Sequence, residues 1–330
     1  MSRDDATVLF DAPGPRARRR NNILTGVSVL VILGIIGYII YALNDKGQFA
    51  KELWKPFTQW DVWRTYFIQG TINTLKAAAV GTVLALVFGA LFGLARLSDH
   101  WWIRVPAGAV VEFFRAMPLL ILIFLAFFVP ATVSPIIADG PLGNFQRVMV
   151  ENVFSIFGVT INNGTVTVPA FAAVVFGLTL YNGSVLAEIV RAGVQSIPRG
   201  QSEAAVALGM RKNAVMRLVL LPQAVTAMLP VIVSQIVVLL KDTSLGFIIG
   251  YEDLTSYGFK IEPANFHNLL QAAIVCAAIY ITINLIVSRI AAVLEARVRR
   301  SKKSITTMSS TGVSVQAGAG MTASGADAAS

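Results

Sequence analysis

Six apolar stretches, each about 20 residues long, alternate with more polar segments along the sequence. A helix rises about 1.5 Å per residue, so about 20 residues span the hydrocarbon core of a bilayer. The pattern therefore predicts an all-α membrane protein with six transmembrane helices. The predicted spans cover residues 23–43, 71–95, 106–129, 168–187, 221–240 and 268–288.

Two of the polar connections are expected to hold surface structure. Residues 44–65 mix charges with aromatic side chains such as Trp54 and Phe57, which favour the membrane interface. This segment is predicted to be external and to form a short interfacial helix. Within the long connection at 131–166, residues 148–158 are apolar enough for a second surface helix.

Glycine, proline and cysteine residues inside the spans allow further predictions. In the second span, Gly81, Gly89 and Gly93 are spaced for close packing against another helix. Pro230 in the fifth span predicts a kink or break that would free backbone carbonyls. Cys276 is a single cysteine that cannot form an intramolecular disulfide, so packing is its expected role.

Composition supports the membrane assignment and narrows the partners. Hydrophobic residues make up 55% of the chain and charged residues 14%, with a mean hydropathy of +0.67, whereas a soluble domain of this size carries more charge. The formal net charge of +9 could indicate nucleic acid, but the basic residues flank apolar segments instead of forming a stripe. Membrane lipid is therefore expected around the chain, and no nucleic-acid partner is expected.

The two ends of the sequence are predicted to be tails. A basic start at 1–22 could belong to a signal peptide, but residues 23–43 are 21 uncharged residues without a following small-residue cleavage site. We therefore predict an uncleaved first span. The segment at 296–330 begins with basic residues and from residue 304 is rich in Ser, Thr, Ala and Gly, which predicts a disordered tail.

The distribution of positive charge predicts the orientation. Nineteen of the 27 Lys and Arg residues lie in the N-terminal tail, residues 96–115, residues 188–222 and the chain from Arg289 onward. Positive residues accumulate on the cytoplasmic side of membrane proteins. Both termini and the loop at 188–222 are therefore predicted to be cytoplasmic.

That loop is the most charged part of the apolar body. Five basic residues of segment 188–222 face only Glu188 and Glu203. A helix is expected within it, because Pro198 suits a first turn and Gly209 suits a C-terminal stop. The alternative is an ordinary basic loop that anchors the flanking spans.

The small residues of this loop follow a recognisable order. The pattern is EAA, a gap, G, a gap and LP, carried by Glu203, Ala204, Ala205, Gly209, Leu221 and Pro222. It resembles the EAA signature of binding-protein-dependent ABC importer permeases. The small side chains would lie on one side of the helix, where another surface could approach its backbone closely.

Two further segments resemble the polar amino-acid branch of the same family. The sequence LLKDTSL at 239–245 closely resembles an element of that branch. The sequence VEFFRAMPLL resembles its FRGTPLL segment, with Ala116 and Met117 in place of Gly and Thr, and Glu112 could pair there with Arg115. The resemblance covers roughly residues 66–295, which we treat as the permease core.

The resemblance implies a type I ABC importer permease fold in the plasma membrane of a prokaryote. It implies that loop 188–222 forms a coupling helix that docks on a cytoplasmic ABC ATPase dimer, through Glu203, Ala204, Ala205, Gly209 and Arg199. It also implies a second permease subunit, identical or homologous, and an external substrate-binding protein. This chain would bind no cofactor, since ATP and Mg would be used by the ATPase. An amino acid, with glutamate favoured, is the implied substrate.

The substrate path is predicted from polar groups at or near span depth, which usually face a bundle interior or a water-filled cavity. The candidates are Asn182, Gln235, Lys241, Asp242, Thr243 and Ser244. Lys241 and Asp242 could recognise the carboxylate and amine of an amino acid. Equally, they could form a structural pair at the end of the fifth span.

Catalytic and nucleotide-binding motifs do not occur in the sequence. There is no GxxxxGK[ST], HExxH or GxSxG pattern, and the two histidines, His100 and His267, are far apart. An enzyme is therefore not expected. The alternative function is a secondary transporter for small polar solutes, which would need ionisable residues near the membrane midplane that the predicted spans do not contain.

Overall fold

A computed structural model describes residues 14–310 of the chain. Within this range six helices are long and apolar enough to cross a membrane, which confirms the predicted number. They are α1 (Pro15–Asp45), α3 (Trp60–Ala95), α5 (Leu119–Ile137), α7 (Ala170–Gln195), α9 (Lys212–Ile249) and α12 (Leu269–Ser310). Between them lie the shorter helices α2 (Lys51–Trp54), α4 (Trp101–Ala116), α6 (Pro141–Asn152), α8 (Arg199–Ala207), α10 (Leu254–Ser256) and α11 (Glu262–Phe266).

Helix α7 lies at the centre of the bundle. Of its most apolar stretch 67% is buried, against 33% or less in the other five spans. It packs against α3, α4, α5 and α9, and its Leu178 meets Ile123 of α5 and Leu239 of α9 in the main apolar core. Neighbouring helices therefore hold α7 on several of its faces at once.

Glycines set the distance between α3 and α7. Gly81, Gly89 and Gly93 are all buried on the face of α3 that meets α7, as their spacing predicted. A Cβ at Gly89 would lie 2.6 Å from Leu186 Cβ, closer than two carbon atoms can approach. Small residues let helix backbones pack closely where no water drives association.

The predicted third span is wrong at its start. The chain at 106–129 is divided between α4 and α5, and only α5 is a membrane span. The break lies at Met117, which has an extended backbone (ψ 135°) because the following Pro118 disfavours the helical region for its neighbour. Helix α4 thus becomes a separate element that packs beside the end of α3.

The second and fifth spans are longer than predicted. Helix α3 begins at Trp60, so part of the expected interfacial segment already belongs to it, and only α2 and a 3-10 turn (Lys55–Thr58) precede it. Helix α9 continues through Pro230, so of the expected kink or break the break does not occur. It also includes Lys241 and Asp242, and its last turns, from Thr243 to Ile249, are 3-10 helix.

The C-terminal helix also extends beyond its prediction. Helix α12 continues to Ser310, so residues 304–310 are helical and not a disordered tail. The remainder of that predicted tail, and the first 13 residues of the N-terminal tail, lie outside the described residues. Near its beginning Cys276 is buried, and its thiol donates to the carbonyl of Leu254 at 3.4 Å, in keeping with a packing role.

A small β-hairpin interrupts the otherwise helical fold. Strands β1 (Thr160–Asn162) and β2 (Thr165–Thr167) pair antiparallel across a turn at Asn163 and Gly164, which both have positive φ. Such an Asn-Gly pair suits a two-residue hairpin turn. The surface helix expected at 148–158 is instead the end of α6 followed by a 3-10 turn.

Helix α1 stands apart from the rest of the chain. None of its residues is buried, and additional Cβ atoms at its glycines would meet nothing within 4 Å. Its surface therefore faces lipid or another polypeptide along nearly its whole length.

The close contact of α3 and α7 yields a first prediction. Gly89→Ala should destabilise the protein by about 1–3 kcal/mol, because the added methyl group overpacks the contact with Leu186. Thermal unfolding of the purified protein in detergent measures the effect. Gly26→Ala in α1 is the matched control and should leave the unfolding temperature unchanged. Equal unfolding temperatures for both variants would contradict the packing described for α3 and α7.

Candidate coupling loop and buried polar cluster

The helix predicted in loop 188–222 is present as α8. It begins at Arg199 after Pro198 and ends where Gly209 adopts φ +80°, the left-handed conformation that glycine accepts. The amide of Gly209 donates to the carbonyl of Val206 at 2.9 Å, and the amide of Met210 donates to that of Ala205 at 3.2 Å. These two bonds form a Schellman motif, which fixes the end of the helix.

The three small residues of the loop do not share one exposed face. Ala205 is 5% exposed and lies on the side of α8 that packs against the first turns of α9. Glu203 and Ala204 are exposed, and so is the side chain of Leu208, which is 83% exposed. Glu203, Ala204 and Leu208 therefore belong to the exposed surface of α8, while Ala205 packs within this chain.

A group of ion pairs centred on Glu188 joins this loop to the neighbouring helices. The Glu188 carboxylate lies 2.7 Å from Arg96 Nη1, 3.5 Å from Arg115 Nη1 and 2.5 Å from Arg191 Nη2. Arg96 also reaches Glu112, at 3.1 Å. The expected pairing of Glu112 with Arg115 is thus replaced by contacts to other helices. We call these five side chains the Glu188 cluster.

The Glu188 cluster connects three elements on one side of the membrane. Arg96 follows the end of α3, Glu112 and Arg115 lie on α4, and Glu188 lies near the end of α7. The carboxylate of Glu188 is only 26% exposed, so its attraction to the arginines is screened less than that of a surface pair. Movement of the end of α7 must therefore act on α3 and α4 together.

A second ion pair ties the other end of the loop to the same region. Lys212 Nζ lies 2.8 Å from Asp99 Oδ2, between the start of α9 and the α3–α4 connection. The hydrogen bond from Lys212 lowers the pKa of Asp99. Both side chains are well exposed, so this contact positions the loop without contributing much stability.

Three of the predicted path residues meet in the interior. Gln235 Nε2 donates to Asn182 Oδ1 at 2.7 Å, and Asn182 Nδ2 donates to Asp242 Oδ2 at 3.3 Å. Asn182 is fully buried at the centre of α7, and its two partners lie one above the other on α9. These three side chains form the Asn182 cluster, in which Asn182 is fully buried and Gln235 and Asp242 are partly exposed.

The other predicted path residues point elsewhere. Lys241 is exposed and lines a groove of about 610 Å³ between α9 and α12, together with Ser244, Tyr280 and Asn284. Lys241 and Asp242 do not form an ion pair with each other in the described chain, and Asp242 contacts Asn182 instead. Thr243 is buried and its hydroxyl donates to the carbonyl of Leu240, which leaves it a role inside the helix.

The Glu188 cluster was not predicted as a site. Sequence reasoning noted Glu188 only as one of two negative charges among many arginines. Its partner Arg96 lies 92 residues away in the sequence, so the pair becomes visible only once α3 and α7 are packed. The signal in the sequence was the isolated carboxylate itself, at the end of an apolar span.

Six membrane-crossing helices around a buried polar cluster, with a helical loop held by ion pairs, define a multi-pass membrane protein of the permease class. Residues 81–300 match the family described as "Binding-protein-dependent transport system inner membrane component". The chain belongs to this family. It is therefore a membrane subunit of an ABC transporter in a bacterial cell membrane and not an enzyme, since a separate subunit hydrolyses ATP.

Individual relatives are similar over most of the chain. The glutamate transport system permease protein GluD of Corynebacterium glutamicum is 38% identical over 80% of this chain and 86% of its own length. The glutamate/aspartate import permease protein GltK of Escherichia coli O6:H1 is 30% identical over 68% of this chain and 91% of its own. Among solved structures, an amino acid ABC transporter crystallised with histidines is 30% identical, with a TM-score of 0.56 over 70% of this chain and 93% of that chain.

The Asn182 cluster yields a second prediction. Gln235→Leu removes the donor that satisfies the buried Asn182 carbonyl oxygen. The free energy of unfolding should therefore fall by about 1–3 kcal/mol. The matched control is Ser234→Ala on the preceding residue, an exposed hydroxyl that bonds to the carbonyl of Pro230 within its own helix. Thermal unfolding in detergent compares the two variants. A Gln235→Leu protein as stable as the control would show that the cluster is not held by this bond.

Proposed function

We propose that this chain forms the translocation path of an ATP-driven amino-acid importer whose substrate is glutamate. The observation that carries the proposal is the 38% identity to a glutamate transport permease over 80% of this chain. A second relative at 30% identity is named for glutamate and aspartate import, which supports the same substrate class. Two permease chains, either identical or homologous, would stand side by side with an external substrate-binding protein above them.

In this proposal α8 is the coupling helix. It would dock on a cytoplasmic ABC ATPase dimer that uses ATP and Mg, through Glu203, Ala204, Gly209 and Arg199. The exposure of Glu203, Ala204 and Leu208 supports this role, because a contact surface has to be free in the isolated chain. Ala205 would contribute from inside, by letting α8 lie close to the start of α9. In that case α8 is cytoplasmic. Four spans precede it and two follow it, so both termini would be cytoplasmic as well.

The Glu188 cluster gives the proposed coupling a physical route. When α8 moves with the ATPase, the ends of α7 and α9 on either side of it must move too. The contacts of Glu188 with Arg96 and Arg115 would carry that displacement to α3 and α4. Alternating access would result from helices that move as packed units and not from bending of single residues.

Along the same route the Asn182 cluster would face the path from within the bundle. Asp242 and Gln235 lie on α9, whose opposite side presents Lys241 and Ser244 to the groove beside α12. A single cationic Lys241 with neighbouring hydroxyls suits an anionic solute. Glutamate carries such a net negative charge, so Lys241 would attract it, while the substrate-binding protein would supply most of the affinity.

Uptake competition tests the substrate. In cells that produce the whole transporter, radiolabelled glutamate should accumulate, and excess unlabelled glutamate or aspartate should suppress its uptake. Amino acids that lack a side-chain carboxylate should compete much more weakly. Equal competition by a basic or an apolar amino acid would contradict the glutamate assignment while leaving the assignment as an importer intact.

Substitutions on α8 test the coupling. Ala204→Trp, alone or with Glu203→Ala, should reduce co-purification of the ATPase about tenfold, the effect of losing roughly 1.4 kcal/mol of binding free energy. Both positions are exposed and helical, so insertion and accumulation should stay normal. Ala264→Trp is the matched control, an exposed alanine on the short helix α11. Normal ATPase association in the α8 variants would mean that this loop only anchors the topology.

A further inference from the structure

Three polar side chains are fully buried where the segment after α1 meets the start of α12. They are Glu262 of α11, Asn268 just before α12, and Gln271 in its first turn, each with an exposed fraction of 0%. Burial of such groups is costly unless each finds a partner. None of them was singled out by sequence reasoning, and none belongs to the proposed path or coupling loop.

The hydrogen bonds of these residues link two distant parts of the chain. Asn268 Nδ2 donates to Glu262 Oε1 at 2.9 Å and to the carbonyl of Leu53 at 3.3 Å. Gln271 Nε2 donates to the carbonyl of Gln48. Asn268 and Gln271 are three residues apart and so lie on one face of the helix. Both therefore reach the same segment, residues 48–53.

Each of the three side chains retains a buried oxygen without a hydrogen-bond partner. These atoms are Glu262 Oε2, Asn268 Oδ1 and Gln271 Oε1. The amide nitrogens already donate to the carbonyls and the carboxylate described above, so the group has a surplus of acceptors. We call the three residues and the two carbonyls they contact, of Gln48 and Leu53, the oxygen cluster.

The charge of Glu262 is also uncompensated. Among the side chains that the structure describes, no lysine, arginine or histidine lies within ion-pair distance of its carboxylate. The charged side chains of the surrounding elements are all exposed to solvent instead: Asp45, Lys46, Lys51, Glu52, Lys55, Lys260 and His267. Burial accordingly raises the pKa of Glu262.

One bound cation removes both deficits by itself, whereas a proton and a water molecule would both be needed to do the same. A proton on Glu262 would neutralise the charge and allow one bond to one of the amide oxygens, but a third oxygen would stay unpaired. A water molecule could donate to two oxygens but would leave the charge. A cation bound through oxygen atoms would compensate the charge and contact unpaired acceptors of this cluster, and carboxylate and carbonyl oxygens are the ligands that hard cations prefer.

We propose that the oxygen cluster is a binding site for a small hard monovalent cation such as Na⁺. The single carboxylate of Glu262 matches one positive charge, and the amide oxygens of Asn268 and Gln271 supply neutral ligands. The described residues contain no group of three or more His, Cys, Asp or Glu side chains that could hold a metal ion. The proposal therefore concerns a singly charged ion and not a multivalent metal. The bound cation clamps segment 48–53 to the start of α12.

Thermal unfolding of the purified full-length protein in detergent tests the site. At constant ionic strength, replacing choline chloride with NaCl should raise the unfolding temperature of the native protein in a saturable way. Parallel titrations with KCl and CaCl₂ establish the ion preference. The rise should be lost in Glu262→Gln, which removes the charge and keeps the shape. Glu252→Gln, a change at an exposed neighbouring glutamate, should retain it.

The ion dependence separates the cation from a proton. At one constant pH the unfolding temperature of the native protein should be higher in NaCl than in choline chloride, whereas a protonated Glu262 would make it independent of which cation is present. A protein that responds identically to choline and sodium would overturn the proposal in favour of a protonated carboxyl group.

A second measurement does not depend on any variant folding. Hydrogen–deuterium exchange of the native protein should show slower exchange in residues 48–54 in NaCl than in choline chloride, because the cation holds this segment on α12. Residues of α8, on another part of the chain, should exchange equally in both salts. Unchanged exchange at 48–54 across a saturating range of sodium would also overturn the proposal.

Discussion

The close approach of α3 and α7 is the contact on which the rest of the bundle depends. Within lipid, helices gain nothing from hiding apolar surface, so they hold together through tight contact and internal polar bonds. Gly89 and Gly93 let α7 come near enough for that contact, and α7 in turn carries Asn182 to the core and Glu188 to the ion pairs at its end. A looser contact would displace both polar sites together, because one rigid helix holds them.

One rule explains the Asn182 cluster, the Glu188 cluster and the oxygen cluster within this apolar protein. A polar group withdrawn from water needs a partner, and the partner then fixes the geometry of whatever element supplies it. Asn182 finds its partners on α9, and Glu188 finds its partners at the ends of α3 and α4. Glu262 finds only half of what it needs within the described chain, which is why it points to an additional component.

Much of the fold could be predicted because it depends on local properties. Apolar length gave the six spans, and the glycine spacing in α3 and the stop at Gly209 were visible without tertiary information. The break at Met117 was missed because apolar residues continue across it, although Pro118 signals it. The Asn163-Gly164 pair is likewise a hairpin signal in the sequence, and it was missed because every predicted element around it was helical.

The arrangement of the candidate site was harder to predict. Consecutive residues on a helix do not face each other, so Lys241 and Asp242 could not have faced one solute from the same side. That argument needs the helix to continue through them, and the apolar pattern alone ended the span at residue 240. The orientation of Ala205 and the partners of Glu188 depend on which helices become neighbours, and no local pattern encodes this.

The isolation of α1 has a consequence for how the protein tolerates change. A helix whose 31 residues include none that is buried is constrained by length and apolarity, but hardly by shape. Where it faces lipid, one apolar side chain can replace another along it without creating a void, whereas the glycine contacts of α3 leave no such room. What such a helix must keep is its attachment, because within the described residues the short stretch between Asp45 and Trp60 connects it to the bundle.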